Sequence, residues 1–268
     1  MPELPEVETT LRGIRPFLLD ETIDDVIIRQ PSLRWPVTSG IETSIRGQLI
    51  REVSRRAKYL QFHLENGSIL VHLGMSGSLR VVKTTDNWKK HDHIELKLRS
   101  GHALRYHDPR RFGSWLWSKQ GHWQLKNLGP EPLTDEFGGD YLYFLSKRRK
   151  VAVKTFIMSN PTVVGVGNIY ASEALFRSGI RPDRAAGRIS KKRYNVLAEN
   201  IKRTLKKAIN LGGTTLRDYS NGTGDPGYFK QELFVYGRSG LPCRKCSGTL
   251  TEKRIGQRGS VFCVRCQV

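Results

Sequence analysis

The chain changes its hydrophobic period about midway. Leu4, Val7, Leu11 and Ile14 recur at helical spacing, and Pro16, which has no amide proton, predicts the end of that helix. Leu60, Phe62 and Leu64 then alternate with Tyr59, Gln61 and His63, a half-buried strand. Asn66-Gly67 predicts a hairpin turn into Ile69, Leu70 and Val71. Ile94, Leu96 and Leu98 alternate with Glu95, Lys97 and Arg99 before Ser100-Gly101 turns the chain again. In the second half, Tyr194, Leu197, Ile201, Leu205 and Ile209 line one helical face, with Ser190 as its N-cap and Gly212 as its C-cap. Lys202, Arg203, Lys206 and Lys207 fall largely off that stripe. Short strands with tight turns followed by helices predict an α+β protein whose N-terminal strands form a β-sandwich or barrel-like layer pair.

Composition adds a partner to this outline. The 268 residues include 45 Lys+Arg against 25 Asp+Glu, a formal net charge of +20. With 38% hydrophobic residues the chain can build real cores, so wholesale disorder is excluded. No run approaches the roughly 18 apolar residues of a membrane span, and Glu3, Glu6 and Glu8 stand where a secretory signal would be basic. The expectation is a soluble, cytoplasmic, nucleoid-associated protein with a polyanionic partner, nucleic acid first. The run Lys147-Arg148-Arg149-Lys150 closes a candidate linker and reads as a solvated face. No internal repeat is present.

The cysteines are Cys243, Cys246, Cys263 and Cys266, two CxxC pairs separated by sixteen residues. This is zinc-ribbon spacing, in which two knuckles supply four thiolates to one tetrahedral Zn2+. Two disulfides are the alternative, a poor one for a cytosolic chain. Four protein ligands leave no position for a catalytic water, so the metal is predicted to be structural.

The order of short motifs carries more. Pro2-Glu3-Leu4-Pro5-Glu6 opens the chain, followed by RRAKYL from Arg55 to Leu60, HLGMSG from His72 to Gly77 and DPRRFG from Asp108 to Gly113. GVGNIYASE runs from Gly165 to Glu173, PGYF from Pro226 to Phe229, and the CxxC pairs close the series. In content and order these resemble formamidopyrimidine-DNA glycosylase, a bifunctional base-excision repair family, over nearly the whole chain. The resemblance implies a catalytic β-sandwich with an N-terminal helix over 1–133, a linker over 134–150, a helix–two-turn–helix DNA-binding domain over 151–234 and a zinc-ribbon finger over 235–268. It also implies damaged double-stranded DNA as partner, a monomer, and one structural zinc as the only cofactor.

The opening residues have a physical reading of their own. Removal of Met1 exposes Pro2 as a secondary amine, and α-amino groups titrate at roughly 7.7–8.0, far below lysine. The positive end of a helix dipole lowers such a pKa further, giving the neutral amine that imine chemistry requires. Glu3 beside it is placed to move protons. A plain helix start is the competing reading of two prolines so close together. By resemblance, Pro2 attacks the sugar C1′ as the damaged base leaves, Glu3 is the general acid/base and Glu6 organises the site. Strand scission by β- and then δ-elimination follows. Lys58, otherwise a solvated lysine on a sheet edge, is implied to be catalytic.

The remaining expectations concern the duplex. A base reached inside a helix must be extruded and its place filled. Met75, Arg110 and Phe112 match the family's filling residues, against the alternative that Met75 and Phe112 are core. Gly165-Val166-Gly167-Asn168 leads into a predicted helix at 170–176, an arrangement that suits phosphate; a dinucleotide fingerprint fails because Tyr170 replaces its third glycine. By resemblance, Asn168, Tyr170, Lys154 and Arg258 are expected as DNA contacts, with Arg258 also counted in the catalytic set. His72 and His91 are expected near backbone or groove, and His93 stands beside them. No spacing makes these histidines a metal site. The Gly-, Thr- and Asn-rich segment 212–229 is predicted to be a surface loop; the resemblance implies that it closes over the everted purine, with a plain connector as the alternative. Ser159-Asn160-Pro161 departs from the family pattern and leaves the local loop geometry open.

Two other functions compete. An endonuclease VIII-type enzyme for oxidised pyrimidines shares the Pro-Glu start and the zinc hairpin, whereas PELPEVE, the Met75 context and PGYF favour oxidised purines. A non-catalytic DNA-damage binder would have no use for Pro2-Glu3.

Overall fold

Helix α1 (Leu4–Leu18) starts where Leu4, Val7, Leu11 and Ile14 first gain a common buried face, and it lies against β2 (Ile50–Arg56) and β5 (Ser78–Lys83). The computed structural model describes residues 2–214 and 229–268. They fall into two units, one of residues 2–126 with 211–214 and one of residues 127–210 with 229–268.

In the first unit β1 (Ile23–Ile28), β6 (Asp92–Leu98), β7 (His102–His107) and β5 form one antiparallel sheet in the order β1-β6-β7-β5. The other sheet runs β2-β3-β4-β8, with β3 at Tyr59–Leu64, β4 at Gly67–His72 and β8 at Ser114–Ser118. Both sheets and α1 feed one apolar core that includes Ile14, Leu18, Phe62, Ile94, Tyr106 and Trp115. The short helix α2 (Ile41–Ile45) inserts Ile41 and Ile45 into that core. This is the expected β-sandwich.

Three local details differ from the sequence pattern. Pro16 lies inside α1 rather than ending it. In the last turn it forfeits one backbone bond, and burying Leu18 beyond it carries the helix on. The β3–β4 hairpin closes on Glu65-Asn66, because Gly67 already pairs with Leu64, and its φ of +141° explains the glycine. In β6, Glu95 is as buried as its apolar neighbours, because the equally buried Arg105 of β7 pairs with it. Alternation of charge with leucine here marks a buried ion pair, not a wet face.

The second unit is built on α6 (Lys191–Asn210), whose predicted stripe from Tyr194 to Ile209 is buried throughout. Helices α3 (Gly139–Ser146) and α5 (Asn168–Arg177) pack on it, and α4 (Val153–Ile157) packs on α5. The stretch 134–150, read from the sequence as a linker, thus contains a packed helix of this unit. A two-stranded hairpin, β9 (Thr251–Ile255) and β10 (Arg258–Phe262), completes it. No described helix is long and apolar enough to cross a membrane.

Candidate active site and nucleic-acid interface

In the first unit the start of α1 is unusually acidic and dry. Glu3 is the N-cap residue, and it forms a reciprocal capping box with Glu6. The Glu3 amide donates to Glu6 Oε2 at 2.8 Å, while Glu6 Oε1 accepts from the Thr214 amide at 2.9 Å. Glu3 and Glu6 are only 2% and 1% exposed, yet they sit at the helix end where the macrodipole favours an anion. Pro2, also buried, precedes them directly. Gly213 has φ +82°, and a Cβ there would come within 3.1 Å of Glu6 Oε1, so glycine lets the backbone of 213–214 close on the carboxylate.

Lys58 occupies the turn between β2 and β3, where Ala57 takes φ +56°. Behind it Arg55 donates to Glu8 at 3.0 Å, tying this turn to α1. Across the β3–β4 ladder, the ring of His72 lies 4.9 Å from that of Tyr59, tilted to it, and accepts from the Gly74 amide through Nδ1 at 3.0 Å. Burial first, then the charges of Lys58 and Arg34, push the His72 pKa down to about 4, so the ring is neutral at physiological pH. Arg34 has no sequence signal of its own. It enters because its amide donates to Gly113 O at 3.1 Å, bringing the 31–37 segment beside DPRRFG.

HLGMSG and DPRRFG form one assembly. The carboxylate of Asp108, fully buried, accepts from Ser76 Oγ at 2.9 Å, from Tyr106 Oη at 3.1 Å and from the Gly113 amide at 2.9 Å. Ser76 Oγ in turn accepts from the Arg110 amide at 3.3 Å. Both glycines are required: a Cβ on Gly74 would lie 2.4 Å from Phe112 backbone, and one on Gly113 would lie 1.8 Å from Tyr106 Oη. What this fastening presents is Met75, half-buried, Arg110, exposed, and Phe112, 46% exposed with the Arg110 guanidinium 5.1 Å from its ring centre. Phe112 is thus an exposed loop residue, not core. His91 sits nearby, its carbonyl accepting from the Asp108 amide at 3.0 Å and its ring 5.9 Å from His107. His93 is buried and its Nε2 is bonded to Asp108 O at 2.8 Å, a structural role.

In the second unit Gly165, at φ +78°, turns the chain into α5, whose N-cap is Gly167 and whose first residue is Asn168. Asn168 Nδ2 donates to Gly259 O at 3.3 Å, next to Arg258, which is exposed at the start of β10. The sequence places Lys154 and Tyr170 among DNA contacts; the structure buries each to 1% exposure. Lys154 Nζ donates to Ser260 Oγ at 2.7 Å and Gly259 O at 3.3 Å, holding the hairpin, and Tyr170 packs its ring 5.5 Å from Phe229. Both therefore support the surface from beneath. Glu173, also buried, escapes the sequence reading: its carboxylate accepts from the amides of Phe234, Val235 and Tyr236 at 2.9, 2.9 and 3.0 Å. It closes the GVGNIYASE motif, but nothing in that string of residues shows that its carboxylate fastens a distant loop. The predicted loop 212–229, PGYF included, lies outside the described residues beyond Thr214 and before Phe229.

The cysteines form no disulfide, and their sulfurs all lie within 4.8 Å of one another. Each knuckle is a tight turn: the Gly248 carbonyl accepts from Cys243 N at 2.8 Å, and the Cys263 carbonyl from Gln267 N at 3.0 Å. Gln267 reaches back to the Cys263 amide through Oε1 at 2.9 Å and out to Ile180 O at 2.8 Å. Four converging sulfurs on fastened turns fit Zn2+. Among the described residues no second cluster of His, Cys, Asp and Glu brings its ligand atoms this close.

Comparison with known proteins agrees along the whole chain. Residues 1–115 match the formamidopyrimidine-DNA glycosylase N-terminal domain, residues 128–220 the formamidopyrimidine-DNA glycosylase H2TH domain, and residues 240–268 a zinc finger found in FPG and IleRS. With that finger and the sulfur geometry, the ribbon holds one structural zinc. The chain is 57% identical over its full length to the formamidopyrimidine-DNA glycosylase of Stutzerimonas stutzeri (strain A1501), and 58% identical to that of Pseudomonas aeruginosa (strain LESB58), covering 100% of each. Among solved structures, the MutM (FPG) protein of Thermus thermophilus superposes with a TM-score of 0.89 at 37% identity, over 99% of this chain and 98% of that one. The Lactococcus lactis Fpg in complex with DNA containing an abasic site gives 0.91 at 30% identity, over 99% of both.

Proposed function

The chain belongs to the formamidopyrimidine-DNA glycosylase family, and we infer that it works as that family does. It is a base-excision repair glycosylase that removes oxidised purines such as 8-oxoguanine and formamidopyrimidines from duplex DNA, and it cleaves the resulting abasic site as a lyase. A cytoplasmic, nucleoid-associated location goes with this role. The observation that carries the catalytic reading is the capping box at the start of α1, which seats Pro2-Glu3 against the buried carboxylate of Glu6.

The chemistry follows from those groups. With Met1 removed, the Pro2 nitrogen at the positive end of α1 is a weakly basic secondary amine. Its lone pair attacks C1′ as the bond from C1′ to the base breaks and the base leaves with a proton; Pro2 then gives up its N–H proton, and the C1′–O4′ bond breaks as Glu3 delivers a proton to O4′. The resulting iminium withdraws electrons from C2′, so loss of a C2′ proton expels the 3′ phosphate. A second elimination expels the 5′ phosphate, and water then releases Pro2. Lys58 stands beside this centre as a cation for the sugar or the base's oxidised edge, and Glu6 holds the Glu3 backbone in place. The zinc takes no part in these steps; its four thiolates fasten the ribbon.

On the duplex, Met75, Arg110 and Phe112 are the residues that occupy the gap left by the everted nucleotide, Arg110 facing the orphaned base. Asn168 and Arg258 contact phosphates, and His72 and His91 line the same surface, His72 as a neutral donor. Lys154 and Tyr170 serve by positioning the hairpin and α5.

Borohydride trapping on a duplex carrying one 8-oxoguanine tests the scheme. A covalent adduct whose peptide map places the link on the Pro2 nitrogen, and which persists in Lys58→Ala, is the expected result. Failure of the intact protein to give an adduct would overturn the iminium mechanism.

A further inference from the structure

A second basic surface in the second unit takes no part in the scheme above. The chain between α5 and α6 lines a pocket of about 420 Å³ with Arg181, Asp183, Arg184 and Arg188. Its one carboxylate is already engaged: Asp183 accepts two bonds from Arg181, at 3.1 and 3.0 Å, and one from Lys253 of β9 at 3.0 Å. Burial works to raise the Asp183 carboxyl, but these bonds outweigh it and hold it below the usual range. Among the described residues, Arg184 and Arg188 have no carboxylate of their own. Their surplus charge is felt next door, where burial and then Arg184 lower the pKa of Arg193.

The pocket is held rigidly by its backbone. Arg184 O accepts from Val153 N at 2.7 Å, Ala186 N donates to Val151 O at 2.9 Å and Gly187 N donates to Arg149 O at 2.9 Å. Those bonds set the backbone of Arg149 against Gly187, so the exposed run Lys147-Arg148-Arg149-Lys150 adjoins the segment that lines the pocket. Arg181 is further fixed by the ring of Phe262, 5.4 Å away. Like charges gathered on a fixed backbone repel one another, and no carboxylate among the described residues neutralises Arg184 and Arg188. A multidentate oxyanion does so, and guanidinium forks match phosphate oxygens.

We propose that the pocket formed by Arg181, Arg184 and Arg188 is a phosphate-oxyanion site distinct from the glycosylase centre. The shared ligand chemistry is a phosphoryl group carrying two or more free oxygens. Its source is either a phosphodiester of a nucleic acid lying across this face or free phosphate.

The experiment follows the arginine Nε–H resonances of the full zinc-loaded chain by NMR during titration with inorganic phosphate, with chloride at matched ionic strength, and with a lesion-free duplex. Saturable shifts of Arg184 and Arg188 are expected with phosphate and not with chloride, and they vanish from the remaining pocket resonances in Arg184→Glu/Arg188→Glu. Shifts with the duplex as well identify a DNA phosphodiester; the double variant then lowers the slope of log affinity against log salt by about 1–2. Shifts with phosphate alone identify the free anion. Arg184→Gln/Arg188→Gln serves where charge reversal disturbs folding, and Lys206→Glu on α6 is the charge control. No saturable shift with either probe, an equal response to chloride, or a response surviving in both double variants would overturn the proposal. Borohydride trapping by the intact protein reports on the glycosylase reading independently.

Discussion

Glu6 and Thr214 are joined across 208 residues of sequence by a single hydrogen bond, Glu6 Oε1 accepting the Thr214 amide at 2.9 Å. The other oxygen of the same carboxylate accepts the Glu3 amide at 2.8 Å. One buried carboxylate therefore fixes both the Pro2-Glu3 start of the chain and the backbone at Thr214. Glu6→Gln keeps one acceptor and turns an NH2 toward the second amide, leaving a buried donor unpaired at a cost of about 1–3 kcal/mol. Base release from 8-oxoguanine DNA is expected to fall about 10-fold or more, since about 1.4 kcal/mol of lost positioning is tenfold in rate. Single-turnover kinetics with urea denaturation measures both.

Asp108 binds Ser76, Tyr106 and Gly113 and thereby fastens the two loops that present Met75, Arg110 and Phe112. Asp108→Asn replaces one acceptor oxygen by a donor. It is expected to destabilise the first unit by about 1–3 kcal/mol. Base release from duplex DNA should slow strongly, while cleavage of an abasic site in single-stranded DNA, which needs no filled gap, should change little. Equal loss on both substrates would show that Asp108 merely maintains the fold.

His72, with its pKa lowered to about 4 by burial and the neighbouring charges of Lys58 and Arg34, gives a pH dependence of definite sign. The unfolded chain has an ordinary histidine, of pKa about 6.5, and so binds more protons than the folded one between that value and about 4. The contribution to stability is fully present above about pH 6.5 and declines as pH falls toward 4. His72→Gln should flatten that part of the profile. Denaturation midpoints from about pH 4.5 to 7.5 for both proteins check it.

Removing the zinc should release the ribbon, because the converging sulfurs lose the charge that holds them together. Stripping the metal with a mercurial and chelator is expected to lower the melting temperature and abolish tight DNA binding, with recovery on adding Zn2+. Cys263→Ser should behave like the stripped protein and should not recover.

Glu173→Gln offers a separate check on the second unit, since its carboxylate accepts all three amides of 234, 235 and 236. A loss of about 1–3 kcal/mol is expected. Hydrogen exchange should quicken at those three amides and leave the β-sandwich unchanged.

The elements were largely legible from one-dimensional patterns. Periods of two and of 3.6 marked β3, β6, α1 and α6, and the CxxC spacing marked the zinc site. Where the pattern misled, a tertiary contact had overruled it. Pro16 is carried inside α1 by the burial of Leu18, and Glu95 is carried into the core by Arg105. The candidate site was legible in its chemistry and not in its support. Pro2, Glu3, Lys58, Met75, Arg110 and Phe112 follow from motifs. Asp108 stands in one of those motifs without showing that it holds the other, and Glu173 closes GVGNIYASE without showing that it fastens a distant loop.

By itself the sequence determined which chemistries the chain carries: a proline and a glutamate at a helix start, two CxxC knuckles, and a +20 charge suited to a polyanion. These depend on residue type and local spacing, which a string of letters contains. Tertiary structure alone decided which groups share a carboxylate, which lysine is buried beneath a hairpin and which arginines gather around one engaged aspartate. Those outcomes depend on backbone segments far apart in sequence meeting at hydrogen-bond distance. Burial then turns an ordinary glutamate or aspartate into the acceptor on which a whole loop depends.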